Sequence, residues 1–315
     1  MIGGFPSADV PMHTVRQVLV ALLDEAIKEL SQGAPSDRVV HAIREKLKRA
    51  RAALRLLRPC IGAQAYHQQN LLIRDAARPL TMVRDADVLL QTLRSLELEA
   101  ASKKADAAVD KADAFSRLLH RELRRERIEE RRRLSKRELH DEAAALRLVK
   151  RRIESISGAR LDQAALGTAL ERTYKAGREA YAQVMRRSTD ERLHEWRKQT
   201  KYLLAELDIV SPLNSDKFAK RRKRARRLGR RLGDDHDLAV LNRKIFQYAK
   251  GPNAASQNAA VEELLSRLAR RRKVLQDEAR RLGRLLYSAK AGDMRKKFDK
   301  SLRAPQQSPR RAQGQ

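Results

Sequence analysis

The chain contains one internal repeat, and a repeat constrains the architecture more than any single motif does. Residues 41–48 (HAIREKLK) recur 153 positions later as residues 194–201 (HEWRKQTK), with His, Arg and Lys at the same places. Residues 84–89 (RDADVL) recur 150 positions later as residues 234–239 (DDHDLA). We therefore expect two tandem units of similar structure, and a pseudo-two-fold axis between them is the simplest arrangement.

The spacing of apolar residues predicts helices throughout the chain. Apolar residues recur every three to four positions almost everywhere, and no segment has the alternation typical of a strand. Clusters of Gly, Pro, Ser and Asn interrupt this pattern at residues 31–36, 59–62, 155–158, 211–215 and 251–256. The predicted helices cover residues 14–31, 38–58, 63–97, 104–155, 162–187, 190–210, 215–250 and 256–288.

These helices predict an all-α fold with two tandem four-helix bundles related by pseudo-two-fold symmetry. The first bundle covers residues 14–158 and the second covers residues 159–288, with a basic central cavity or pore between them. Residues 1–13 are expected to form an N-terminal extension. Residues 289–315 are rich in Lys, Arg, Gln, Pro and Ser, so we expect a disordered basic tail there.

The charge balance indicates the kind of partner. Seventy Lys and Arg oppose forty Asp and Glu, and the formal charge of +30 favours a polyanion. Cys60 is the only cysteine, so it has no partner for an internal disulfide, which fits a reducing compartment. The N-terminus has no signal-peptide pattern, and the longest apolar run, residues 18–23, is too short for a membrane span. We expect a soluble, cytoplasmic protein.

The predicted helix 38–58 carries a row of cations beside its apolar face. Its apolar residues step by three and four and therefore share one face: Val40, Ile43, Leu47, Ala50, Leu54 and Leu57. The same steps, one residue later, produce a second row that is rotated by about 100° from the first. That second row consists of His41, Arg44, Lys48, Arg51, Arg55 and Arg58.

The predicted helix 190–210 repeats this pattern. Its apolar face consists of Leu193, Trp196, Thr200, Leu203 and Leu207, and its cation row of His194, Arg197 and Lys201. Leu204 stands where the first row has Arg51. Runs of charge usually form solvated faces, but two such rows that meet across a two-fold axis repel each other unless an anion lies between them. A cleft or pore that holds a chain of phosphates resolves this conflict.

Two longer runs of charge are less specific. Residues 121–137 mix Glu with Arg and Lys, which is typical of ion pairing along an exposed helix. Residues 219–231 contain nine Lys or Arg and no acid, so contact with an external anion explains them better than pairing within the helix.

These motifs resemble those of the CHAD domain, the conserved histidine α-helical domain. The leading helix of that family is similar to residues 41–54, HxxRxxxKRxRxxL. Its later motifs are similar, in the same order, to residues 84–88 (RDADV), 172–178 (RxYxxxR), 194–201 (HxxRKxxK) and 232–237 (LGxxxD). The resemblance extends over residues 14–288.

The resemblance implies a pair of four-helix bundles around a basic cavity or pore that binds inorganic polyphosphate, in some members at polyphosphate bodies or storage granules. It implies binding without catalysis, since the Glu-x-Glu-x-Lys signature of the catalytic domain often fused to CHAD domains is absent. Two departures from the family's motifs make the expected contacts with the ligand less symmetric between the two halves. Leu204 replaces an expected arginine, and Asp234 stands at the position equivalent to Arg84.

Arginine and lysine divide the expected contacts with phosphate. Arg44, Arg51 and Arg197 are the best candidates, because a guanidinium group matches two phosphate oxygens at once. Lys48 and Lys201 would act as point charges. The full set of predicted polyphosphate-binding residues is His41, Arg44, Lys48, Arg51, Arg55, Arg178, His194, Arg197, Lys198, Lys201, Arg224, Arg227 and Arg231.

The histidines and the acidic residues leave alternatives open. His41 and His194 either donate to phosphate when protonated, or stay neutral and hydrogen-bonded between the repeats. A metal site at residues 235–237 is disfavoured, because adjacent residues on a helix point in different directions. The remaining interpretation is that four carboxylates orient the cations: Asp85, Asp87, Asp235 and Asp237.

Two other functions compete with polyphosphate binding. The charge also suits nucleic acid, but aromatic residues for base stacking are only 4% of the chain and no known nucleic-acid motif occurs. Duplex binding by shape and charge stays open. An enzyme acting on phosphoanhydrides would need clustered carboxylates for Mg²⁺ or a glycine-rich phosphate loop, and the sequence offers neither. We therefore expect no catalysis and no cofactor.

Overall fold

The computed structural model describes residues 11–33, 36–101, 109–156, 163–211, 218–249 and 258–303. Within these ranges the chain forms eleven helices and no strand, which confirms the all-α prediction. The helices are α1 Pro11–Ser31, α2 Asp37–Ile61, α3 Ala63–Ala76, α4 Arg78–Ala101, α5 Val109–Arg133, α6 Lys136–Glu154, α7 Gln163–Arg186, α8 Asp190–Val210, α9 Ala219–Ala249, α10 Asn258–Leu286 and α11 Ala291–Arg303.

Two helices that the sequence predicts as continuous are each divided in the structure. The predicted helix 63–97 is divided at Ala77, and Pro79, which has no backbone N–H to continue the ladder, follows in the first turn of α4. The predicted helix 104–155 is divided before Ser135, whose side chain accepts from the backbone of Glu138 while the Glu138 carboxylate accepts in return. This capping box starts a new helix, so the chain turns there.

The prediction of a disordered tail from residue 289 is wrong for residues 291–303, which form α11. Met294 and Phe298 lie four positions apart on one face, and both are fully buried. The ring of Phe298 meets that of Phe218 edge to face, with 5.5 Å between the ring centroids. Two apolar residues on one face are enough to hold a short amphipathic helix against the body. Residues 304–315 lie outside the described residues, as do residues 1–10 of the predicted N-terminal extension.

The buried residues form two hydrophobic clusters, and both contain residues from both halves of the sequence. One cluster joins α1, α2, α3, α6 and the start of α4 to α7, α8, α11, the first half of α9 and the end of α10. The other joins most of α4 and α5 to the second half of α9 and the first half of α10. The core is therefore shared across residue 158, and the division into two separate bundles about a pseudo-two-fold axis stays a prediction.

Candidate anion-binding site

The apolar faces predicted for α2 and α8 are confirmed by burial. Every predicted apolar residue of α2, from Val40 to Leu57, is at most 1% exposed. In α8, Trp196, Thr200 and Leu203 are fully buried. Side-chain caps start both helices at the expected places, since Ser36 and Thr189 accept backbone N–H groups from the first turns. The neighbouring cation rows therefore lie at the edge of the core.

α2 and α8 lie side by side and run in the same direction. Lys48 is close enough to Lys201 to lower its pKa. Further along both helices, the guanidinium of Arg55 lies 3.6 Å from the centroid of the Tyr202 ring and 3.6 Å from a carboxylate oxygen of Glu206. Later residues of α2 thus contact later residues of α8, so the two cation rows run side by side.

Four basic side chains from the two rows lie near one another, and we call Arg44, Lys48, Arg197 and Lys201 the cation cluster. Arg44, Arg197 and Lys48 all lower the pKa of the Asp85 carboxyl group, and Arg197 and Lys48 lower the pKa of Lys201. Burial lowers the pKa of Lys201 to about 8, and the positive charges of Arg197 and Lys48 contribute to that shift. Burial also lowers the pKa of Arg44 and of Arg197. The cluster thus holds like charges close together where water screens them poorly.

Arg44 is the better satisfied of the two arginines. Its guanidinium donates to the backbone oxygen of Leu80 at 3.1 Å and lies 3.8 Å from the carboxylate of Asp85. Only 11% of the Arg44 side chain is exposed, against 61% for Asp85. Arg44 is therefore held in place from one side by α4.

Arg197 keeps an unused donor inside the protein. Its Nε is buried, and no described residue lies within hydrogen-bonding distance of that atom. The carboxylates of Asp237 and Asp85 partly offset the burial that lowers the pKa of Arg197. Burial raises the pKa of both carboxyl groups, while Arg44 lowers that of Asp85 and Arg197 lowers that of Asp237. A buried N–H without an acceptor is unfavourable unless a ligand supplies one.

Lys48 is more exposed and is paired locally. Its Nζ lies 2.6 Å from a carboxylate oxygen of Glu45, one turn earlier in α2, and 48% of its side chain is exposed. Burial raises the pKa of Glu45, but the positive groups Lys48, His41 and Lys201 together more than offset it, so the pKa is lowered. Lys48 can therefore exchange Glu45 for another anion at little cost.

The two histidines lie beside the cluster in different settings. His41 is exposed and lines a cavity of about 510 Å³ together with Arg38 and Arg84. The Nδ1 of His194 lies 3.4 Å from the Nδ1 of His236 on α9. Burial lowers the pKa of His194 and lowers that of His236 to about 4, so at least His236 is neutral at pH 7. The His194 contact is thus made with α9 of the same half and not with the other repeat.

Arg51 and Arg55 continue the α2 row but already have partners. Arg51 donates from Nε to the side-chain oxygen of Asn70 at 2.9 Å. Arg55 is paired with the fully buried Glu206, which also accepts from Thr173 at 3.0 Å. Arg55 therefore has an ion-pair partner inside the protein, and its role as a phosphate ligand stays a prediction.

The remaining predicted ligands have other partners or are exposed. Arg224 donates to the backbone oxygen of Leu285 at 3.1 Å, and Arg231 pairs with Glu278 on α10 at 2.5 Å. Lys198 pairs with Glu195 of its own helix. Arg178 and Arg227 are exposed on α7 and α9. Nothing in these contacts joins them to the four clustered cations.

An arginine bridge, missed by the sequence analysis, fixes the start of α8. Arg272 on α10 donates to Asp190 in the first turn of α8 at 2.6 Å and to Asp235 on α9 at 2.9 Å. Asp235 also accepts from Gln276 at 3.0 Å and is 2% exposed. The position of the α8 cation row relative to α9 is thereby determined.

An equivalent bridge fixes the start of α2. Arg127 on α5 pairs with Asp37 in the first turn of α2 and with Asp87 on α4. Arg131 also pairs with Asp37, at 2.7 Å. Asp37 and Asp190 are 153 positions apart, as the two histidine motifs are. An aspartate that recurs at the 153-residue spacing of the repeat is the sequence signal from which these bridges could have been predicted.

Two kinds of feature are absent from the described residues. They contain no group of three His, Cys, Asp or Glu side chains placed to hold a metal ion. None of the helices they form is long and apolar enough to cross a membrane.

Solved structures share this fold. The crystal structure of the CHAD domain from the plant Ricinus communis matches with a TM-score of 0.58 and 20% sequence identity, over 92% of this chain and 96% of its own. PptA from Streptomyces chartreusis matches with a TM-score of 0.58 and 15% identity, over 90% of this chain and 99% of its own. No curated protein shows significant similarity. The model of the CHAD domain matches residues 17–245, most of the chain, and the protein therefore belongs to the CHAD domain family.

Proposed function

We propose that the cation cluster binds the phosphate groups of inorganic polyphosphate and that the protein acts by binding, without catalysis of its own. The convergence of four cations from α2 and α8 supports this proposal best. Burial and mutual repulsion lower the pKa of Lys201 to about 8, so a polyanion at this place would relieve a cost that the free protein carries.

The side chains of the cluster suit phosphate chemically. Arg197 offers a buried Nε without an acceptor among the described residues, and Arg44 offers a largely buried guanidinium. Each guanidinium can donate two parallel hydrogen bonds to one phosphate. Lys48 and Lys201 would balance the charge of the next phosphates along the chain. Membership of the CHAD family implies the same ligand, and with it a place in the cytoplasm or at polyphosphate granules.

Sequence-independent binding of nucleic acid is the second candidate, and α5 is the observation that favours it. Arg121, Arg124, Arg125 and Arg132 lie on one exposed face of that helix. A row of exposed arginines suits the phosphate backbone of a duplex. The face is far less dehydrated than the cation cluster, so it would lose its ligand sooner as salt rises.

A competition experiment tests the two candidates. Binding of long-chain polyphosphate is measured at about 0.15 M salt, and again at several-fold higher salt, against single-stranded and duplex nucleic acid. We expect polyphosphate to stay bound at high salt after both competitors are displaced. Equal displacement by nucleic acid would reduce the protein to a general polycation.

Matched variants locate the site. Replacement of Arg44 and Arg197 by Ala should weaken polyphosphate binding at high salt by at least about a hundredfold, since each charge-assisted contact contributes roughly 1.5–3 kcal/mol. The control is Ala at Arg137 and Arg270, whose side chains are 92% and 65% exposed, and it should change the affinity by less than threefold. Equal losses in the two variants would show that no particular site is involved.

A further inference from the structure

Glu206 places a carboxyl group inside the core. It occupies an apolar-face position of α8, three residues after Leu203 and one before Leu207, and it is fully buried. Its Oε1 accepts a hydrogen bond from the Thr173 hydroxyl at 3.0 Å, while its Oε2 is buried and has no hydrogen-bond partner among the described residues. A negative charge at this place is unfavourable, because neither water nor a full set of donors stabilises it.

Arg55 is the nearest cation, and it holds Glu206 loosely. A guanidinium nitrogen of Arg55 lies 3.6 Å from Oε1, which is longer than a normal hydrogen bond. The same guanidinium lies 3.6 Å from the centroid of the Tyr202 ring. Among the described residues, the other cation whose charge reaches Glu206 is Arg172 on α7, and its side chain is exposed. Burial outweighs both cations and raises the pKa of Glu206 to about 7.

Arg55 belongs to the cation row of α2 as well as to this buried contact. It follows Arg44, Lys48 and Arg51 at steps of three and four, so the four side chains lie along one side of the helix. Its side chain is 11% exposed. A guanidinium that neutralises a carboxylate attracts a further anion less strongly. The positive charge that α2 presents to an anion therefore depends on the protonation of Glu206.

We propose that Glu206 controls the binding of phosphate by taking up and releasing a proton. With a neutral carboxyl group, the full charge of Arg55 acts on the anion; with an ionised carboxylate, part of that charge is cancelled inside the protein. A bound anion in turn repels the ionised form, so binding is accompanied by proton uptake at Glu206. This inference rests on the proposed function and adds regulation of the same site.

The coupling fixes the sign of the pH dependence. Bound phosphate raises the pKa of Glu206 above its value of about 7 in the free protein, so the contribution of Glu206 to affinity is constant below pH 7 and falls as the pH rises above it. Other groups of the site titrate elsewhere, since the pKa of Lys201 is about 8 and that of His236 is about 4. Glu206→Gln keeps the shape of the side chain and cannot exchange a proton, so its difference from wild type isolates Glu206.

Proton uptake on binding is the direct measurement. Long-chain polyphosphate is titrated into the protein at pH 7 in a calorimeter, in buffers of different ionisation enthalpy. We expect the wild-type protein to take up about 0.3–0.5 proton per site more than Glu206→Gln does. The affinity of Glu206→Gln relative to wild type should rise from about 1 at pH 6 to about fivefold at pH 8. The matched control is Asp208→Asn, which neutralises a 36% exposed carboxylate two residues later on α8 and should behave as wild type.

The failures of the inference and of the proposed function are distinguishable. Equal proton uptake by wild type and Glu206→Gln would overturn the inference and leave polyphosphate binding intact, whereas no binding by either protein would refute the proposed function. Urea unfolding without ligand tests the titration of Glu206 by itself. Because folding raises the pKa of Glu206 from 4.5, wild type should lose more stability than Glu206→Gln as the pH rises from 5 to 7. An identical pH dependence of stability in the two proteins would also overturn the inference.

Discussion

Lys201 carries a charge that its surroundings disfavour. Its pKa falls to about 8 because it is removed from water and because Arg197 and Lys48 repel it. A fall of this size from 10.5 corresponds to roughly 3 kcal/mol at most of lost folding stability. A side chain kept at such a cost is better explained by a ligand than by the fold.

Replacement of Lys201 by Met tests this trade between stability and binding. We expect the free energy of unfolding of the ligand-free protein to rise by about 1 kcal/mol or more, because the buried charge is removed while the methylene chain stays. Polyphosphate affinity at high salt should fall about tenfold. Urea unfolding and a binding titration measure the two quantities. The control is Lys28→Met, which removes an exposed charge on α1 outside the cation cluster and should change neither.

The same lysine predicts how binding depends on pH. Below pH 8 Lys201 is charged in the free protein, so its contribution to affinity is nearly constant; above pH 8 the free protein loses this proton and binding must restore it. Polyphosphate affinity should therefore fall between pH 8 and 10, whereas Lys201→Arg should stay flat because arginine keeps its charge. A parallel fall of affinity in the wild-type protein and in Lys201→Arg would exclude Lys201 as the cause.

The folding stability of the ligand-free protein depends on pH with the opposite sign. Between pH 8 and 10.5 the unfolded chain binds this proton and the folded protein does not, so the contribution of Lys201 makes stability rise with pH across that range.

At the scale of helices, the two arginine bridges join the same kinds of residue, but their carboxylates are buried to different extents. Arg272 holds Asp235, which is 2% exposed, while Arg127 holds Asp37 and Asp87, whose side chains are 45% and 16% exposed. Arg272→Ala should cost about 3 kcal/mol because it leaves a buried carboxylate unpaired, and Arg127→Ala about 1 kcal/mol or less. Urea unfolding of both variants measures the difference. Equal costs would mean that burial does not set the strength of the bridges.

The sequence predicts the helices of the site well, because α2 and α8 have an uninterrupted apolar period. It misses the division at Ala77, since a single proline at residue 79 and not a cluster marks it. It also misses α11, where Met294, Phe298 and Leu302 are the only large apolar residues in a basic segment. The role of Arg55 depends on a partner far away in the sequence. Glu206 gives a usable signal, because it occupies an apolar-face position three residues after Leu203 and an acid there requires a buried partner.

At the scale of the whole molecule, a shared core links the two halves that the repeat suggests. Both hydrophobic clusters draw on residues before and after residue 158. Fragments 14–158 and 159–303 should therefore fail to unfold cooperatively when expressed alone, while the whole chain unfolds in one transition followed by circular dichroism. Cooperative unfolding of either fragment would show that a repeat is an independent domain. The repeat in the sequence could not reveal this, because periodicity reports similarity of units and not which units pack together.

Trp196 gives the protein a built-in optical reporter. It is the only tryptophan of the chain, it is fully buried, and it directly precedes Arg197 in α8. Its ring packs 5.2 Å from that of Tyr181 on α7, measured between centroids. All tryptophan emission therefore arises from one position on α8 next to the cation cluster, so intrinsic fluorescence can follow occupancy of the site without any attached dye.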